Sequence, residues 1–273
     1  MSGNRMRMWL ICAAGLIVGP AAFADQAMAP PGTRYSVDPQ RLPAPAASVA
    51  NPARQIERTQ DHRLLAPPGF KVTIFAQGLL HPRSMAVAAN GDVFLAEPNG
   101  GHVTVLRDLD GDGRADIVRN YAIGFDHPSG LAFQPGALYV ADLKAVWRLP
   151  YKDGDLEAGT RQPITRPGLI GGGGSHWTRR LVFARDGKSF FVAVGSRGNV
   201  EEDPLPHASI TRFAKDGASL GAFATGLRNP SDLAFYPGTD DLFTVVNERD
   251  GLGDALVPDY LAQVSKGDFF GWP

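Results

Sequence analysis

The 273 residues are 44% hydrophobic and 20% charged, with a formal net charge of −1. That composition supplies a sizeable buried core and excludes the basic surface that nucleic acid binding needs. The single cysteine, Cys12, lies near the N-terminus, so the chain beyond it has no disulfide, thiolate nucleophile or cysteine-held metal cluster.

Residues 1–24 read as a secretory leader. Arg5 and Arg7 form the positive start, Met8 to Gly19 the apolar stretch, and Ala22-Phe23-Ala24 the cleavage signal before Asp25. The apolar stretch is short for a membrane span, and the expected location is the periplasm or the exterior. Residues 25–63 are rich in alanine and proline and read as a linker or strap.

From Leu64 the texture changes to short β-branched and aromatic runs broken by glycine and proline. Four segments align, starting at His81, His127, Ser175 and Arg228, each an apolar run, a turn and a second apolar run. With Val87, Phe133, Phe183 and Phe235 as equivalents, the spacings are 46, 50 and 52 residues. A period of that size built only from short strands predicts an all-β propeller with one four-stranded blade per repeat, over residues 64–273. A β-sandwich offers no reason for the period. Leu131, Phe133, Leu181, Phe183, Leu233 and Phe235 are expected in the layers between sheets. If each aligned run is an innermost strand, the residues just before it face the axis. Those are His81-Pro82-Arg83, His127-Pro128-Ser129, Ser175-His176-Trp177 and Arg228-Asn229. A ligand would bind where they converge.

Asp108-Leu109-Asp110-Gly111-Asp112-Gly113-Arg114-Ala115-Asp116 has alternate carboxylates about a glycine turn, the spacing that wraps one hard cation. Arg119 stands where an EF-hand has its glutamate, so the choice is between a structural calcium loop on Asp108, Asp110, Asp112 and Asp116 and a solvated acidic hairpin. Gly171 to Gly174 has no Gly-Lys-Ser/Thr after it, and Ser175 lies in no nucleophile elbow. The glycines read as a flexible turn delivering His176 to the axis, where a neutral imidazole can act as general base. Arg228 is either a fixed cation beside it or a bridge between blades. The run Leu242–Val246 ends in the polar cluster Asn247-Glu248-Arg249-Asp250-Gly251, and strand ends are where sites sit on rigid scaffolds.

These residues resemble the glucose/sorbosone dehydrogenase family, most closely its sorbosone-dehydrogenase-like branch. The resemblance covers Leu64 to Pro273 through PPGFKVTIFAQGL, HPRSMAV, DGDVFLAEP, SHWTRRLVF, GLRNPSDLAF, NERDGLGD and GDFFGWP. It implies a six-bladed propeller that oxidises a sugar or polyol with pyrroloquinoline quinone (PQQ) and calcium, passing electrons to an external acceptor such as a cytochrome or a quinone. It implies that His176 is the proton-abstracting base and that Arg228 and Asn229 contact the quinone. Backbone carbonyls of Arg249 and Asp250 would hold calcium. The family's histidine-orienting aspartate is replaced by Ser196. The sequence supplies about four of the six blades, so the expectation is an incomplete, truncated propeller. A non-redox propeller, either a lactonase-type hydrolase or a binding module, is the alternative on the same fold.

Overall fold

In a computed structural model, residues 34, 54–57, 59, 64–254 and 256–273 are described. The leader and almost all of the proline-rich segment lie outside them. No α-helix occurs among the described residues, which form four antiparallel sheets.

Sheet one contains β1 (Ser84–Val87), β2 (Val93–Glu97), β3 (His102–Arg107) and β4 (Ile117–Ile123). Sheet two contains β5 (Gly130–Gln134), β6 (Ala137–Ala141), β7 (Val146–Pro150) and β8 (Gln162–Pro163). Sheet three contains β9 (Leu181–Phe183), β10 (Ser189–Val194), β11 (Ser209–Ala214) and β12 (Ser219–Thr225). Sheet four contains β13 (Asn229–Phe235), β14 (Leu242–Asn247) and β15 (Tyr260–Val264). Strands pair in chain order within every sheet, because each is joined to the next by a turn. The β1–β2 turn shows the chemistry: Ala88 N donates to Asp92 O at 2.9 Å, and Gly91 takes φ +92°, a conformation a side chain disfavours.

The sheets are blades of a propeller, and alternation along the middle strands explains why these read as unbroken apolar runs. In β10, Phe190, Val192 and Val194 join the layer shared with sheet two, whereas Phe191 and Ala193 join the layer shared with sheet four. In β6, Leu138 and Val140 face sheet one, and Ala137, Tyr139 and Ala141 face sheet three. Successive side chains point to opposite faces, and here both faces are covered. Leu181, Phe183 and Leu233 are buried in these layers, and Leu131, Phe133 and Phe235 pack against them half-buried, as the repeat predicts.

Polar bonds tie the inner strands together where they begin. Ser84 Oγ donates to Ser129 O at 2.7 Å, Ser129 Oγ accepts from Arg179 N at 2.7 Å, and Arg180 forks onto Asp232 at 3.0 and 2.5 Å. The four inner strands therefore enter from one end. The outward faces of the flanking sheets are apolar and open: Met85 and Val87 on sheet one are 65% and 59% exposed, and Val245 and Leu261 on sheet four are also exposed.

Candidate functional site

Strand direction gathers the site. β9 starts just after Ser175–Thr178, β10 ends just before Ser196, and β14 ends at Asn247. The segment before β9, the loop after β10 and the turn after β14 thus meet at one end of sheets three and four.

His176 is half-buried there. Its Nδ1 lies 2.9 Å from both the carbonyl oxygen and the hydroxyl of Ser196. A carbonyl oxygen only accepts, so Nδ1 carries the proton and Nε2 keeps its lone pair. The Ser196 hydroxyl donates to Gly198 O at 2.7 Å, which leaves it an acceptor toward the ring. Ser196 brings no carboxylate, yet the ring is oriented by a backbone group that any residue at 196 would supply. Burial, followed by the Arg228 charge, pushes the His176 pKa below its ordinary value. Beneath the ring the backbone comes close: a Cβ on Gly195 would lie 2.5 Å from His176 Cβ and 2.8 Å from Asn229 Oδ1. Only glycine permits that approach. Asn229 Oδ1 itself is buried and has no hydrogen-bond partner among the described residues.

Arg228 is 2% exposed and its guanidinium is fully engaged by the chain. Nε donates to Asn199 O at 3.0 Å. Nη2 donates to Asn199 Oδ1 at 2.8 Å and Asp250 Oδ2 at 2.7 Å, and Nη1 donates to the carbonyls of Asn247 and Glu248. From the other side, Asp259 accepts from Asn247 Nδ2 and Glu248 N. Arg228 thus holds the 247–250 turn and sets a positive field beside His176. The blade bridge and the fixed cation, left open by sequence, are one arrangement. Arg249 is exposed in this turn. The Asp250 carbonyl accepts from Asn199 Nδ2 at 2.9 Å and retains a second lone pair.

Arg179 is fully buried and contacts no carboxylate among the described residues. It donates to the carbonyls of Ile170, Gly172, His176 and Thr178 at 2.6 to 2.9 Å. It stitches the glycine-rich turn to the His176 segment, so the turn predicted to be flexible is pinned at both ends. Burial lowers the Arg179 pKa to about 10, which leaves it charged at neutral pH. Arg179, Arg180 and Asn199 were not picked out from sequence. Two of them are the Arg-Arg of SHWTRR, which reads equally as solvated charge.

The axial residues of the first three blades also converge. The rings of His81 and His127 each lie 6.0 Å from Trp177, and the Arg83 guanidinium sits 5.8 Å from it. Ser129, expected to face a ligand, is instead buried as a pin between inner strands. Two of the carboxylates at second-strand ends, Glu97 and Asp142, are committed as well. Glu97 accepts from Leu80 N and Thr104 Oγ1 and lies 3.1 Å from His102 Nε2. Asp142 accepts three backbone amides at 2.8 to 3.0 Å.

The acidic loop joins β3 to β4 at the opposite end of sheet one. Oxygens of Asp108, Asp110 and Asp116 lie within 4.8 Å of one another, and Asp112 is not among them. Asp112 Oδ1 accepts from Arg114 N at 2.8 Å, as Asp110 Oδ1 accepts from Asp112 N at 3.1 Å. Asp108 accepts from Gly111 N and Gly113 N, and these amides, Gly113 first, hold its pKa below the usual range.

The family described as TrAA12-like matches residues 64–258. An uncharacterised protein of Borreliella burgdorferi is 22% identical over 237 residues, 83% of this chain and 60% of that protein. Among solved structures, the holo PQQ domain of pyranose dehydrogenase from Coprinopsis cinerea matches with TM-score 0.56 and 20% identity, over 68% of this chain and 48% of that one. The calcium structure of a Trichoderma reesei carbohydrate-active enzyme of family AA12 matches with TM-score 0.62 and 18% identity, over 76% and 58%. The PQQ-bound aldose sugar dehydrogenase of Streptomyces coelicolor matches with TM-score 0.58 and 20% identity, over 76% and 68%. The chain thus spans about half to two thirds of these proteins. At such identities the likeness concerns the fold.

Proposed function

Because this chain belongs to the TrAA12-like family, we propose that it is a PQQ-dependent oxidoreductase of sugars in which His176 is the general base. One observation carries the reading: Ser196 O holds His176 Nδ1 at 2.9 Å, so a free, basic Nε2 sits beside a buried arginine. The similar structures described as PQQ-bound sugar dehydrogenases support the same reading.

The residues present suit such a cofactor. Asn229 offers an orphaned buried acceptor next to the base, and the Arg228 charge would favour electron density arriving on a quinone oxygen. The carbonyls of Arg249 and Asp250 are hard oxygen ligands of the kind calcium takes. When bound, PQQ accepts the hydride equivalent and calcium polarises the quinone. His176 Nε2 would take the proton from the hydroxyl, or hydrated aldehyde, of a sorbosone- or aldose-type substrate. Its low pKa keeps it unprotonated for that task, and the Ser196 carbonyl keeps the ring aimed. An external acceptor, a cytochrome or a quinone, would be needed to take up the electrons. A lactonase would need side-chain carboxylates free to bind metal at the axis. Of the carboxylates at second-strand ends, Glu97 and Asp142 but not Glu248 are committed, among the described residues, to hydrogen bonds within their blades, and the axial set of His, Arg, Asn and Ser favours the oxidoreductase.

Adding PQQ and calcium to the polypeptide that carries this sequence, with an aldose panel and a redox dye, tests the reading. Calcium-dependent PQQ binding and dye reduction are expected; absence of PQQ binding in the presence of calcium overturns it. The pH profile gives a second check. Acid protonates the base, and burial together with Arg228 holds its pKa below the ordinary value of about 6.5. The acid limb of kcat/KM should therefore fall below pH 6.5, and a limb centred above pH 7 counts against His176 as the base. The leader read from residues 1–24 would place the enzyme in the periplasm or outside the cell. N-terminal sequencing of the exported protein should begin at Asp25, and a start at Met1 would refute this.

A further inference from the structure

Asn199 lies in the loop after β10, far in sequence from the turn it touches. Its Oδ1 accepts from Asp250 N at 2.9 Å and its Nδ2 donates to Asp250 O at 2.9 Å. The side-chain amide thus closes a ring on both backbone groups of one residue. The same Oδ1 accepts from Arg228 Nη2, and the Asn199 carbonyl accepts from Arg228 Nε. Four hydrogen bonds therefore run from this residue to the two groups that shape the 247–250 turn.

We infer that Asn199 is the positioning residue of this site, holding the Asp250 carbonyl in place and coupling the turn to the loop that orients His176. The functional part rests on the reading of the turn as the cation site. The physical need is plain. Calcium takes its oxygens at about 2.3–2.6 Å, and a peptide carbonyl swings with its own φ and ψ. Burial does not fix Asp250, whose side chain is 82% exposed, and Gly251 follows at φ +85°. Arg228 anchors the Asp250 carboxylate, and Asn199 grips the Asp250 peptide itself at N–H and C=O together. Asparagine suits the task because its short stem carries an acceptor and a donor side by side. Aspartate lacks the donor, serine is too short to reach both groups, and glutamine is a methylene longer. Ser196, three residues earlier, holds His176 through its carbonyl and hydroxyl. The four residues 196–199 thus touch both the base and the turn.

Asn199 is exposed, so substitutions there leave the core intact and the fold measurable. Amide hydrogen exchange at Asp250 should quicken about tenfold or more in Asn199→Ala, with the urea midpoint unchanged. Asn199→Asp keeps the acceptor for Asp250 N and should restore most of the protection. Calcium titrated calorimetrically in an Asp108→Asn/Asp110→Asn background, which removes the acidic loop as a competitor, should bind about tenfold more weakly when Asn199→Ala is added. Wild-type exchange at Asp250 in Asn199→Ala overturns the positioning role. Absence of calcium binding with Asn199 intact sinks the cation reading instead, and the exchange comparison still decides the positioning role on its own.

Discussion

Turnover of the PQQ-loaded enzyme is expected to fall by two orders of magnitude or more, about 10²–10⁴-fold, when His176 is replaced by alanine. The loss should appear in kcat, because Nε2 acts on the proton that moves in the reacting complex and contributes little to ground-state binding. Fold and cofactor affinity should change little, since among the described residues the His176 side chain bonds only to Ser196. The control is Ser196→Ala. It removes the hydroxyl but keeps the carbonyl that accepts from Nδ1, so turnover should drop by less than about tenfold. Stopped-flow reduction of bound PQQ by an aldose measures both variants directly. Wild-type turnover in His176→Ala sinks the assignment. A Ser196→Ala loss as large as that of His176→Ala would show that the hydroxyl, not the carbonyl, orients the ring.

Arg179→Met should produce the largest loss of stability of any single substitution at this end of the propeller. Four backbone carbonyls accept from the buried guanidinium. An acceptor left buried without a partner costs about 1–3 kcal/mol. Water entering the gap offsets part of that sum, which leaves a loss of about 3–5 kcal/mol. Against a total stability of about 5–15 kcal/mol, that is a large fraction. Arg179→Lys should recover only part of it, because an ammonium on one stem cannot fork onto carbonyls from Ile170, Gly172 and Thr178 at once. Urea unfolding with an unchanged slope and a lowered midpoint is the expected signature. A midpoint within error of wild type would mean that the glycine-rich turn is held by something other than Arg179.

Much of the fold could be read from the chain. Phe133, Phe183 and Phe235 recur at nearly constant spacing because each starts the same packing event against the preceding sheet. Strand β10 reads as continuously apolar because both of its faces are covered, Phe190 on one side and Phe191 on the other. The gathering of His176, Arg228, Asn229 and Asp250 at one end could also be read, since inner strands of repeated blades enter in the same direction. Roles were less legible. Arg228 reads by type as either a fixed cation or a bridge between blades, and the carbonyls and side chains that take up its N–H groups are not displayed in composition.

What the sequence determined by itself is therefore the periodic part: repeat, strand, turn and the apolar layers between sheets. These depend on local side-chain alternation and on glycine and proline at turns, which are written in consecutive residues. The tertiary structure alone decided which polar atoms are spent and which stay free. His176 is left with a basic Nε2 because the Ser196 carbonyl, twenty residues away, lies within 2.9 Å. Asn199 grips Asp250 because loops fifty-one residues apart meet across two blades. Backbone carbonyls and amides are the same at every position, so their choice of partner depends on distance in space, and only the packed blades fix that distance.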